Sequence, residues 1–245
     1  MITFITRYEF RYFFSTSAGY VLVGLFLLVN GFFTWMYGQD VFFRGEASLG
    51  AFFDGAYWSL FFFIPAWGMN TLAREWRSGH WRLFRVRGIA VAEWILGKWL
   101  AQWFILGMSL LLLALYGASL EWLSPRTEGF WWIGYLGLWA YGGGLSALTL
   151  LAGAWVRSAG VTYLLALLTG GVFHTLTGLL APAFPPAWQP WVQQLHAGHH
   201  LHTLWSGLVD WSQPAFLISI PVAALWMAIR RLQEPGRPAS NTKNA

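Results

Sequence analysis

Apolar residues in this chain run in long blocks, separated by short stretches where charge and proline collect. A membrane-crossing helix needs roughly 20 mainly apolar residues. Six blocks fit that template: 17–38, 56–72, 94–115, 130–156, 161–180 and 214–229. The predicted fold class is an all-α integral membrane protein of six transmembrane helices, forming one domain over residues 1–245. Before the first block, residues 1–16 interleave aromatics with Arg7, Glu9 and Arg11. Such a mixture favours a helix lying in the membrane interface. Between the fifth and sixth blocks, residues 181–212 hold four prolines and then a helix-compatible run too polar for a clean span. A re-entrant or interfacial helical segment is expected there, since irregular backbone at membrane depth needs protein or water beside it. Pro65 is expected to interrupt the second span. Gly142–Gly144 and Gly170–Gly171 should let helices approach closely.

The signs of the connecting stretches alternate. Basic residues dominate the amino-terminal arm, the stretch from 73 to 98, the turn at Arg157 and the tail with Arg230 and Arg231. The intervening stretches carry Asp40, Glu46, Asp54, Glu121, Glu128 and Asp210. Basic loops remain on the cytoplasmic side. The predicted topology therefore has both termini and the 73–92 loop in the cytoplasm, and residues 181–212 outside. The expected partner of this surface is membrane lipid.

Composition agrees with this class. Of 245 residues, 57% are hydrophobic and 10% charged, against about 25% charged in soluble domains. Eighteen tryptophans suit the headgroup layer. The net charge of +5 is accounted for by the loops, so no nucleic-acid partner is expected. The apolar blocks are too long for a signal peptide, and Met1–Phe4 does not look like a basic leader. With no cysteine, thiolate metal sites, disulfides and cysteine nucleophiles are excluded.

Few residues offer chemistry of their own. No catalytic residue is expected, because the chain has no P-loop, G-x-S-x-G or H-E-x-x-H pattern. Intramembrane ionisable groups are nearly absent, which argues against an ion-driven carrier. His174 is the clearest case, and a hydrogen-bonding packing role suits a lone histidine. His196, His199 and His200 share one helix face, a spacing able to ligate zinc, copper or nickel. No carboxylate or thiolate lies close enough in sequence to complete a site, and a wet polar face also accounts for them.

The densest positive charge is "REWRSGHWRLFRVRG", residues 74–88, with five arginines and one glutamate. Arginines there could simply fix topology. Trp81, Leu83, Phe84 and Val86 add helical spacing, as expected of an amphipathic helix that docks on a soluble partner.

These residues carry a resemblance. Pro65, Met69, Ala73, Glu75, Arg77, Ser78, Gly79, Leu83, Leu96, Gly97 and Lys98 fit, without a gap, the pattern of ABC-2 type ABC-transporter permeases. The branch is that of the gliding-motility GldF and nitrous-oxide-reductase-maturation NosY proteins. Glu9, Phe10, Arg11, Phe14 and Tyr20 resemble the start of that family, and His200, Gly207 and Asp210 a segment near its end. The resemblance implies the permease subunit of an ATP-driven exporter in a bacterial inner membrane. It implies an interfacial elbow helix at residues 1–16 and a coupling helix at 73–92 that meets a separate ATPase subunit. Glu75, Arg77, Gly79, Trp81 and Arg82 would make that contact. ATP and magnesium would be bound by the partner, so this chain needs no cofactor and is not itself an enzyme. A second permease subunit, identical or not, completes the complex, and an extracytoplasmic accessory protein is a further possible partner. Departures from the pattern at Arg74, His80, Arg82 and Gly88 make the loop more basic, and Thr16–Ser17 replaces a Ser-Pro. Two other functions stay open: mechanical work on an envelope partner, and copper handling by the external histidines.

Overall fold

The computed structural model describes residues 1–36, 49–79, 88–123 and 131–233. Every regular element among them is helical. Helix α1 spans Ile2–Ser15, α2 Ser17–Trp35, α3 Leu49–Ser78, α4 Val91–Leu123 and α5 Trp131–Trp155. Helix α6, Ala159–Gly171, runs through a π-helical turn at Val172–Leu176 into α7, Thr177–Leu180, and a 3-10 turn at Ala181–Ala183. Two short helices follow, α8 at Gln189–Gln193 and α9 at Ala197–Trp205, before α10 at Ser212–Gln233.

Five of these stretches are long and apolar enough to cross a membrane: Ser17–Trp35, Val91–Leu120, Trp132–Trp155, Ala159–Ala183 and Ser212–Gln233. Helix α3, predicted as a further span over 56–72, is long enough but lies outside that group. It mixes Tyr57, Trp58, Trp67 and Trp76 with Gly55, Pro65, Gly68 and Asn70, all of which lower mean hydropathy. Pro65 does not break it. The helix continues through the proline, which is itself buried among neighbouring helices, although one backbone hydrogen bond is lost there.

Helix α5 is the centre. It touches α3, α4, α6, α9 and α10, and most of it is buried. Small residues permit this crowding. A Cβ on Gly142 would strike the side chains of Leu106 and Ile64, and one on Gly68 would strike Thr149. The outward faces are apolar: Leu25, Leu28, Leu111, Leu115, Leu164, Leu168, Ile218 and Val222 are all exposed. Asn30, Ser59, Ser109, Ser146 and Thr149 are buried. Polar inside and apolar outside suits lipid as solvent, because the helices then meet through packing and hydrogen bonds. Asn30 donates to Ser59 Oγ at 2.8 Å, joining α2 to α3. Trp103 and Trp139 clasp α4 to α5: each indole donates to the other's carbonyl at 3.0 Å, with the rings stacked 4.3 Å apart.

Basic residues gather at one end of this bundle. The Arg157 guanidinium lies over Trp76 at the end of α3, and that of Arg231 over Trp155 at the end of α5. Asp54 and His202 pair at the opposite ends of α3 and α9.

Candidate functional site: a buried ion network at the basic end

Helix α1 crosses the beginning of α4. A Cβ on Gly97 would collide with Ile5 at 2.8 Å, so the bare backbone is what allows the crossing. Thr6 Oγ1 donates to the Gly97 carbonyl at 3.1 Å, fixing where the helices touch. One turn further along α1, Glu9 turns inward and is buried, while Arg7 and Arg11 remain exposed on the other face.

Four charges meet beneath that crossing. Lys98, fully buried on α4, donates to Glu9 Oε1 and to Glu75 Oε1. Arg74 donates to Glu9 Oε1 and Oε2 at 3.2 and 3.0 Å. The Arg74 guanidinium also lies 3.6 Å from the centre of the Tyr12 ring, and the Lys98 ammonium 5.5 Å from a Trp94 ring. Two carboxylates and two cations sum to zero. Removing each ion from water costs several kcal/mol, offset only by close pairing and full hydrogen bonding. The network therefore fixes α1, the end of α3 and the start of α4 relative to one another. Glu75 Oε2 is the one carboxylate oxygen of the set with no hydrogen-bond partner among the described residues.

The residues expected to meet a soluble partner divide. Glu75 faces inward on Lys98 and is 5% exposed. Arg77 is exposed in the last turn of α3. Gly79 has φ +71°, a left-handed conformation that ends the helix and that side chains resist. Trp81 and Arg82 lie outside the described residues, as do residues 80–87 of the 73–92 loop. Gly88, on the far side of that stretch, is again left-handed, with φ +68°.

The histidines do not converge. His196 precedes α9 and packs against Gly178 and Gly198, its ring bonded to the backbone of Phe173. His200 Nε2 meets the Gln194 carbonyl at 2.8 Å and its ring stacks on Phe216. His199 is exposed, and His202 lies 3.3 Å from Asp54. Among the described residues no three His, Cys, Asp or Glu side chains assemble into a metal-binding group. Burial pushes the His196 and His200 imidazoles below their ordinary pKa, opposed in each by one backbone hydrogen bond.

A second polar cluster surrounds His174. The π-helical turn at 172–176 frees backbone carbonyls, as such turns do. Tyr57 Oη donates to the His174 carbonyl at 2.7 Å, and His196 takes the backbone of Phe173. The His174 ring is sandwiched between Tyr57 and Phe61, at 4.0 and 4.3 Å, and its Nδ1 meets Tyr141 Oη at 2.6 Å. Helix α9 is thereby keyed into the bulge. The hydrogen-bonding histidine was visible in the sequence, but its tyrosine partners carried no signal beyond being aromatic.

The chain matches no protein-family model and no curated protein.

Proposed function

We propose that this chain is the membrane-spanning subunit of an ATP-driven ABC exporter of the ABC-2 type, with α3 as a sixth span and both termini cytoplasmic. The observation that carries this reading is the buried ion network. It joins the amino-terminal helix to the two helices that enter and leave the basic stretch at 80–88. A push on that stretch reaches α3, α4 and α1 together, because breaking them apart would leave a buried charge unpaired. Glu9, Glu75 and Lys98 are also positions where the sequence resembles the permease pattern. Arg74, a departure from it, contributes the second cation of the network.

In this reading α1 is the elbow helix, with Arg7 and Arg11 toward lipid headgroups and Glu9 as its anchor. Glu75 is a positioning residue. Contact with the ATPase falls to Trp81 and Arg82, on the stretch bounded by Gly79 and Gly88. Closure of two ATPases on ATP and magnesium would move each loop, and the clamped helices would follow as a rigid body around α5. Helices α8 and α9 would form the extracytoplasmic segment.

The test is co-expression with an ATPase encoded beside the gene, purification in mild detergent, and ATP hydrolysis by the complex. The ATPase should co-purify with the parent and be lost from a Trp81→Ala, Arg82→Glu variant of unchanged thermal stability. Equal recovery of ATPase with both proteins, or with neither, overturns the coupling role. Transport is distinguished from mechanical work by whether a solute accumulates in vesicles when ATP is supplied.

A further inference from the structure

Beside the ion network, α1 and α2 stand off from α3 and α4 and leave a cleft of about 260 Å³. Its two ends differ in chemistry. Arg74, Arg77, Lys98, Glu9 and Tyr12 line one end, and Phe13, Leu22, Ala66, Trp67, Ala101 and Ile105 the other. From Ala66 to Arg77 is eleven helical steps, roughly 16 Å at about 1.5 Å each. The cleft is therefore an amphipathic slot aligned with the bundle, its polar mouth at the basic end.

The charges at the mouth are not equivalent. Glu9 is held by Arg74 and Lys98, and Glu75 takes the remaining reach of Lys98. Arg77 forms no ion pair among the described residues and is exposed at the rim. Its guanidinium is the uncommitted positive charge, and Glu9, already neutralised, does not repel an anion beside it. A second observation lies halfway down. Gln102 is 8% exposed, donates to Thr71 Oγ1 at 2.9 Å and lines the cleft, yet its Oε1 has no partner. Polar lining therefore reaches about one turn below Lys98 before the slot becomes apolar.

We propose that the cleft binds one anionic phospholipid. Its phosphate lies at Arg77 and Arg74, and one acyl chain runs between Leu22, Ala66 and Ile105. The bound lipid would brace α1 against α3 from the side the ion network leaves open. This site is independent of any ATPase partner. Lipid retention can succeed where ATPase capture fails, and the reverse.

The experiment uses the full chain, purified in mild detergent and stripped of lipid by prolonged washing. Dioleoylphosphatidylglycerol, dioleoylphosphatidylcholine or inorganic phosphate is then added, and bound lipid is counted by native mass spectrometry alongside thermal unfolding. One phosphatidylglycerol per chain should be retained, about fivefold more tightly than zwitterionic phosphatidylcholine, as expected for one arginine beside a headgroup of net negative charge. Arg77→Gln, at an exposed helix end, should remove that preference without changing lipid-free stability. Ala66→Phe should fill the apolar end and abolish retention of both lipids. Equal retention of the two lipids by the parent overturns the proposal. So does a stability gain from inorganic phosphate alone equal to that from phosphatidylglycerol, which would make the mouth a site for free phosphate. Unchanged headgroup preference in Arg77→Gln would also overturn it, whether or not Ala66→Phe folds.

Discussion

The bundle has two buried polar clusters built on opposite principles. At the basic end, Glu9, Arg74, Glu75 and Lys98 are charged, and both cations are committed to carboxylates. Around the π-helical turn, Tyr57, Tyr141, His174 and His196 are held by neutral hydrogen bonds and ring stacking. In the first, one buried side-chain atom, Glu75 Oε2, has no hydrogen-bond partner among the described residues. The second leaves His174 Nε2, Thr177 Oγ1 and His196 Nδ1 all without partners among the described residues. Charge makes rearrangement expensive, because any separation exposes an ion to low dielectric. Neutral groups with spare valences can exchange partners at small cost. The first cluster is suited to transmitting a displacement intact, the second to absorbing one.

The largest effect that would break this contrast is at Lys98. Lys98→Met leaves buried Glu75 with no cation and Glu9 with Arg74 alone, and should destabilise the protein by about 3–5 kcal/mol, read as a lower unfolding temperature in detergent. Adding Glu75→Gln to that variant should recover much of the loss, since Glu9 keeps Arg74. A single Lys98→Met protein as stable as the parent would show that the network carries no strain-bearing charge.

Tyr141→Phe should cost less, about 1–3 kcal/mol, because it leaves only the neutral His174 Nδ1 unsatisfied. Combining it with His174→Phe should return stability toward the parent, since both polar partners are then gone. If Tyr141→Phe proved as damaging as Lys98→Met, the two clusters would be mechanically alike.

Acidification gives the smallest effect. Burial lowers the His196 pKa in the folded chain, whereas the unfolded imidazole binds a proton near 6.5. Below that pH the unfolded chain binds more protons, so stability falls as pH drops. The unfolding temperature should decline modestly as pH is lowered through about 6.5. His196→Gln should flatten that decline; an identical slope in the variant would assign it to other groups.

The helices themselves were legible from the chain. The first predicted span begins at Ser17, as α2 does, and the predicted 214–229 lies within α10. Long apolar runs have few alternatives to helix, which explains this agreement. The charged network was not legible. Glu9 and Lys98 are separated by 89 residues and Glu9 and Arg74 by 65, distances at which periodicity carries no information. Charge near a span end also looks the same whether it faces solvent or a partner, so Glu75 was grouped with Arg77 although only Arg77 is exposed. The π-helical turn was hidden for a different reason. "VFHTL" has no breaker residue, and the bulge depends on Tyr57 and His196, which arrive from other helices.

The clasp of Trp103 with Trp139 has an optical consequence. Two parallel indoles 4.3 Å apart, each locked by the other's backbone, share their electronic excitation. Trp99 extends the stack, 5.1 Å from Trp103. Such a chromophore produces a paired circular-dichroism band of opposite signs, which isolated tryptophans do not. Among eighteen tryptophans, this stack therefore offers an intrinsic, label-free signal of whether α4 and α5 keep their register while the rest of the bundle moves.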